Sequence, residues 1–194
     1  MYRHHVIPTS VSGRSNLSTF ATNCFQRAVP QATVTYRVGY EGGAEQFREK
    51  IGALLRASAD DFTVSLMDRN KSFEAVVDSF VAGKDIVAAR KSGEIAGFVL
   101  FTRGGVRSPI KRFCPCVYVN LTLVDRGHRN QGIARRMYRR VFEDVLPESG
   151  YDCVGVRTHA PNEESRSSIT SAGFVRKATD TEAGQKLIYY VYQS

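Results

Sequence analysis

The residues Val124-Asp125-Arg126-Gly127-His128-Arg129-Asn130-Gln131-Gly132-Ile133-Ala134 form a pattern with a definite chemical use. A β-type apolar run ends at Val124 and a helical period begins at Ile133, so this stretch joins a strand directly to a helix. At such a junction the first-turn N–H groups have no partner inside the helix and point outward at the positive end of its dipole. Phosphate is the natural guest of that arrangement. Gly132 and Ala134 are small enough to let an anion approach the main chain, and Arg129 offers charge-assisted contact. A diphosphate is therefore the expected ligand. Two better-known phosphate loops do not fit: Gly132 is followed by Ile133 where a P-loop needs Lys-Ser or Lys-Thr, and no window nearby reads G-x-G-x-x-G. ATP hydrolysis and nicotinamide chemistry are disfavoured on that ground.

The surroundings of this loop are strongly basic. Ten basic residues lie between Arg103 and Arg140 against one acid, Asp125, while the whole 194-residue chain carries a net charge of +8. The remainder is thus close to neutral. A polyanion beside this segment follows, either nucleic acid or a phosphorylated cofactor.

The elements that must hold the loop can be read from hydrophobic period. Val34, Tyr36 and Val38 alternate with polar residues as in a strand, and glycines at 39, 42 and 43 follow. Phe47, Ile51, Leu54 and Leu55 recur at helical spacing, as do Phe73, Val76, Val77 and Phe80 behind the capping candidates Asn70 and Ser72. Ile86–Ala89 and Ile95–Phe101 flank a Lys91-Ser92-Gly93-Glu94 turn and read as a hairpin. Val117–Val124 is the strand that enters the loop. The helix after it shows Ile133, Met137, Val141, Phe142 and Val145 on one face and is expected to stop at Pro147 and Gly150. A strand at Val154 and Val156, a helix over Pro161–Ala172 with Gly173 as its stop, and a closing hairpin complete the chain. The order β-α-α-β-β-β-α-β-α-β-β predicts an α/β (α+β) fold in which helices cover a mixed sheet. Residues 1–30, rich in Ser, Thr and Asn, are expected to be a partly disordered extension ahead of one domain over 31–194.

With 42% hydrophobic and 24% charged residues, the composition is that of an ordinary globular protein. No apolar run approaches the ~20 residues needed to cross a bilayer, and the first ten residues lack the apolar core of a signal peptide. A cytoplasmic location without membrane contact is expected. Cys24, Cys114, Cys116 and Cys153 show no C-x-x-C spacing, so they read as reduced thiols, and no metal is expected.

Val124, Arg129, Gly132 and Ala134 resemble in type and spacing the acetyl-CoA loop of the GNAT superfamily of N-acetyltransferases, R/Q-x-x-G-x-G/A behind a strand that ends in Val. Asn162, twelve residues before Phe174, is similar to the family's second element, N-x-x-A followed by G-F. The resemblance covers residues 33–194. It implies a GNAT-like fold, with acetyl-CoA as co-substrate, and acetyl transfer by direct attack of an amine on the thioester. Main-chain N–H groups of Gln131, Gly132, Ile133 and Ala134 would bind the diphosphate, with Arg129 and Asn130 helping. Pantetheine would pair with the splayed strand edge at Leu123 and Val124, one of whose N–H groups would polarise the thioester carbonyl. Asn162 would hold pantetheine from the other side.

The chain departs from the family at the groups that move protons. Ile169 stands where a tyrosine commonly protonates the departing thiolate in the resembled family, leaving Ser167 and Ser168 as possible substitutes, with Ser168 taken as the candidate proton donor. The positions where many members place a Glu or His base correspond here to Tyr118 and Asn120, expected on one strand face with Thr122 by the two-residue period. Either would act by orienting a water. His159 is the histidine expected near the cleft.

The acceptor, a primary amine of a small molecule, protein or peptide, is expected between the first helix pair and the last hairpin. Glu41, Glu45, Asp60, Asp61, Tyr189 and Tyr190 lie in those segments and suggest a cationic amine. Two alternatives stay open: a toxin-type acetyltransferase of aminoacyl-tRNA that uses the arginines on RNA, and an acyl-CoA-binding protein without chemistry. The resembled family also includes frequent homodimers.

Overall fold

The computed structural model describes residues 36–61, 72–105 and 108–194. The expected extension over 1–30, residues 32–35 of the first strand, Cys24, Asn70 and Arg107 lie outside the described residues.

Seven strands form one mixed sheet in the order β1-β2-β3-β4-β5-β7-β6. They are β1 (Arg37–Gly43), β2 (Asp85–Lys91), β3 (Glu94–Gly105), β4 (Cys116–Val124), β5 (Cys153–His159), β6 (Val175–Glu182) and β7 (Gln185–Gln193). Helices α1 (Arg48–Ala57) and α2 (Phe73–Val81) lie between β1 and β2, and α3 (Ile133–Arg140) follows β4. The chain then makes a π-turn over Val141–Val145 and a short α4 (Leu146–Ser149), while α5 (Glu163–Ser171) links β5 to β6. This is the element order expected from the sequence, with short helical pieces added. Ser72 caps α2, its hydroxyl accepting from Ala75 N at 3.2 Å.

The two sheet faces bury separate cores. Val99, Phe101, Val117, Val119, Val154 and Val156 pack under α3 and α5 through Ile133, Met137, Tyr138 and Ile169. On the opposite face Phe98, Leu100 and Leu123 pack under Ile51 and Leu55 of α1 and Val77 and Val81 of α2. Toward β7 that face holds a third group, including Ile110, Cys116, Tyr118, Cys153 and Tyr189. Burial, with the Cys114 and Cys153 thiols alongside, pushes the Cys116 thiol up to about 12, so it packs as an inert apolar group.

Two expectations are corrected. Pro147 does not stop the helix. The chain stays helical to Ser149 because the proline lies in the first turn of α4, after the π-turn, where its missing N–H is no loss. Gly150, with φ of +73°, makes the real stop. The second correction concerns β4. Leu100 pairs with Leu121, but its neighbour Phe101 pairs with Val119, so Asn120 is the extra residue of a β-bulge. The bulge reverses the alternation. Tyr118 faces the Cys116 group, whereas Thr122, opposite Val99, faces α3. Tyr118, Asn120 and Thr122 therefore share no common face.

Candidate active site

β4 and β5 are the only parallel neighbours among the described strands, and they pair over Val117–Val119 and Val154–Val156 alone. Beyond Val119 the two strands part. β4 stays paired to β3 as far as Val124, so the edge it turned toward β5 is left open. The gap is a cleft of about 1490 Å³ whose walls include Asn120, Leu121, Thr122, Leu123 and Val124 of β4 and Arg157, Thr158 and His159 of β5. Backbone N–H and C=O groups on such an edge are available to a strand-like ligand.

The junction expected to bind phosphate forms one end of this cleft. Asp125 opens it, its carboxylate accepting from Gly127 N at 3.1 Å across a tight turn. Asn130 and Gly132 both take positive φ, +60° and +68°, which turns the chain sharply into α3. Gly132 is the N-cap of α3 and no side chain caps that helix, so its first-turn amides are left for a ligand. Arg129, Asn130, Gly132, Ile133 and Ala134 all line the cleft. Gln131 does not belong to that lining; its side chain accepts from Tyr36 Oη at 2.8 Å. Tyr36 also hydrogen-bonds His128 Nδ1 at 2.9 Å, and the Arg136 guanidinium lies 5.1 Å over its ring. This buried tyrosine braces the loop from beneath, a role the alternation of its segment gave no sign of. Arg129 Nε donates to Val124 C=O at 3.1 Å and so clips the loop to the end of β4.

Across the cleft, Asn162 lies at the start of α5. Its Oδ1 accepts from Ser165 N at 2.9 Å, making it the helix N-cap, and its side chain also lines the cleft. Ser167 and Ser168 line the same wall. Ile169 is fully buried beneath them in the core. Tyr138 of α3 is a lining residue that sequence reasoning passed over, because its position fits the apolar face of the helix. It is 2% exposed, and Thr122 lies beside it in the same wall. Burial pushes that hydroxyl up to about 12, against the smaller opposing effect of Thr122, so it stays protonated.

Asn120 Oδ1 and His159 Nδ1 are buried in the cleft wall without hydrogen-bond partners. His128 lines the cleft as well, so His159 is not alone there. Tyr118 lies outside the lining. It is buried against Cys116 and Gly155, where an added Cβ would crowd the ring at 3.1 Å and Ile110 at 3.0 Å.

Glu41, Glu45 and Asp60, expected to greet a cationic acceptor, do not line the cleft. Glu41 pairs with Arg90 at 3.0 Å, Glu45 accepts from Gly83 N at 2.7 Å, and Asp60 lies 4.0 Å from Arg126. Tyr190 is buried in the core under α3 and α5, and the Asp61 side chain lies outside the described residues.

Residues 53–174 match the Acetyltransferase (GNAT) family. The chain belongs to this acetyltransferase family. Solved structures agree in fold. An N-acetyltransferase from Staphylococcus aureus Mu50 superposes with a TM-score of 0.62 at 17% identity, covering 81% of this chain and 98% of its own. The yncA protein from Salmonella typhimurium, solved with its cofactor acetyl-CoA, gives 0.59 at 16% identity, covering 81% and 93%. The ribosomal-protein-S18-alanine N-acetyltransferase from Escherichia coli gives 0.60 at 11% identity, covering 82% and 94%. No curated protein matches the chain. The junction that resembles the family's acetyl-CoA loop, the splayed β4 edge and the Asn162 cap stand around one cleft, and Ile169, at the position expected for a tyrosine, is a core side chain.

Proposed function

We propose that the protein transfers the acetyl group of acetyl-CoA to a primary amine in a ternary complex. The observation that carries this reading is the uncapped start of α3, turned by Asn130 and Gly132, at the end of a cleft whose other wall is an open strand edge. The free amides of Gln131–Ala134 hold the diphosphate, with Asn130 and Arg129 beside it. Pantetheine adds to the β4 edge at Leu123 and Val124, and Asn162 contributes from α5 through the amide nitrogen that its capping role leaves over. The relative solved with acetyl-CoA supports the choice of co-substrate.

Chemistry then needs three services: a polarised carbonyl, a neutral amine and a proton for the thiolate. A main-chain N–H of Leu123 or Val124 supplies the first. Asn120 Oδ1 and His159 Nδ1, each buried and unpaired, supply polar positions at which a water can take the amine proton. Tyr138 supplies the third. Its protonated hydroxyl stands in the cleft wall beside Thr122, and we assign it the role that Ile169 cannot fill and that Ser168 could fill only as a far weaker acid. Holding amine and thioester together provides a large further part of the acceleration.

An acetyl-CoA turnover screen tests this reading, with amino acids, polyamines, aminoglycosides, peptides and charged tRNA as acceptors. Free thiol should appear in step with N-acetyl product for at least one amine class. Coenzyme A binding with no thiol above the blank for any acceptor would instead identify a binding protein.

A further inference from the structure

Arg157 is a cation in the cleft that the diphosphate does not account for. Arg129 and Arg135 line the phosphate end around α3, on one face of the sheet. Arg157 is on β5 opposite Tyr189, on the other face, which it shares with Leu121 and Leu123 of β4. The guanidinium is fixed there: Nη1 donates to Tyr189 Oη at 3.3 Å and to a Glu182 carboxylate oxygen. Its Nε and Nη2, the paired edge that matches a carboxylate, have no partner among the described residues. The surface next to it is apolar, with Phe80 of α2, Leu121 and Leu187 lining the same cleft. The carboxylates among the described lining residues are Glu163 and Glu164, both in the first turn of α5 on the face that carries α3. This half of the cleft therefore offers a guanidinium that is held by Glu182 on Nη1 and open along its Nε–Nη2 edge, beside apolar walls, and no lining carboxylate for a polyamine or a lysine side chain.

We infer that Arg157 selects acceptors whose amine lies next to a carboxylate, namely free α-amino acids with apolar side chains. This rests on the acetyl-transfer reading and narrows its acceptor. The carboxylate docks on the open edge of the guanidinium and the side chain enters the apolar wall. The amine is then left toward the gap between β4 and β5. A guanidinium near the amine also favours its neutral form, which is the nucleophile. That effect suits a site with no strong base.

The test uses the full chain with coenzyme A or acetyl-CoA and three matched acceptors: L-leucine, L-leucinamide and 3-methylbutylamine. By calorimetry on the coenzyme A complex, L-leucine should bind on the order of 10- to 100-fold more tightly than either compound lacking the carboxylate. Turnover should follow the same order. Arg157→Gln should erase the difference while leaving coenzyme A affinity unchanged. Glu182→Gln, which keeps Arg157 and removes its competing anion, should tighten L-leucine binding several-fold; a guanidinium with only a structural role would give no gain. Equal binding of the amide, a preference that survives Arg157→Gln, or weaker L-leucine binding in Glu182→Gln would overturn the proposal. Carboxylate-selective binding without thiol release would sustain this site and sink acetyl transfer. Turnover of amines without regard to the carboxylate would sink only this site.

Discussion

Tyr138 has two separable consequences, one for rate and one for stability. If Tyr138 is the proton donor to the thiolate, as we propose, its replacement by Phe should lower kcat by roughly 100-fold with little change in KM, since general acids contribute about 10²- to 10⁴-fold. Steady-state kinetics with a responsive acceptor measures this, and an unchanged kcat would return the role to Ser168. The same hydroxyl ties stability to pH. Its folded pKa, about 12, lies above the ordinary tyrosine value near 10, so the folded state holds this proton more tightly. Its contribution is fully present below pH 10 and is lost as pH rises toward 12, by about 2 to 3 kcal/mol. Denaturant melts should show that alkaline loss in the natural protein and a shallower one in Tyr138→Phe. None of this was legible in the sequence, because a tyrosine among Ile133, Met137 and Val141 has the period of a core residue. Only the parting of β4 from β5 shows that its hydroxyl meets a cleft. Ile169 is the converse case: its departure from the family pattern is plain in the sequence, and the structure adds that it is a packed core side chain.

At the scale of elements, strands and helices followed from apolar period with few errors, because each buries one face and that face repeats at a fixed spacing. What period could not give was phase across an irregularity. The bulge at Asn120 inserts one residue, so Tyr118 and Thr122 point to opposite faces although they are four apart. The π-turn over Val141–Val145 likewise lets the chain remain helical through Pro147. The tight strand-to-helix junction, to which we assign the diphosphate, was legible because its signal is local: a small residue at 132, a cation at 129, and a strand and helix on either side. Its brace was not, since Tyr36 reaches the loop from 92 positions away in the chain. Tyr36→Phe removes the hydroxyl that joins His128 and Gln131, and each neutral hydrogen bond contributes about 1 kcal/mol. Coenzyme A affinity should therefore fall about 5-fold, and the melting temperature by a few degrees. Loss of folding without an affinity change in the folded fraction would place Tyr36 in the core alone.

For the whole molecule, the basic charge that looked in the sequence like one polyanion surface is divided among several tasks. Arg103 pairs with Asp85, Arg136 lies over Tyr36, and Arg140 meets Glu143 and Asp144. Arg129 and Arg135 are at the cleft. Such a distribution favours a cofactor held at one point over a long nucleic acid contact. The sheet supplies the geometry for this: side chains packed on opposite faces hold β4 and β5, and the strands separate where their pairing gives way to the cleft.

The most direct measurement is a crystal structure of the protein with coenzyme A bound. The diphosphate should rest on the amides of Gln131–Ala134, with pantetheine running along β4 toward Thr122, and Gly132→Glu should leave no bound nucleotide. Coenzyme A seated away from the start of α3, or bound undiminished by Gly132→Glu, would contradict the account.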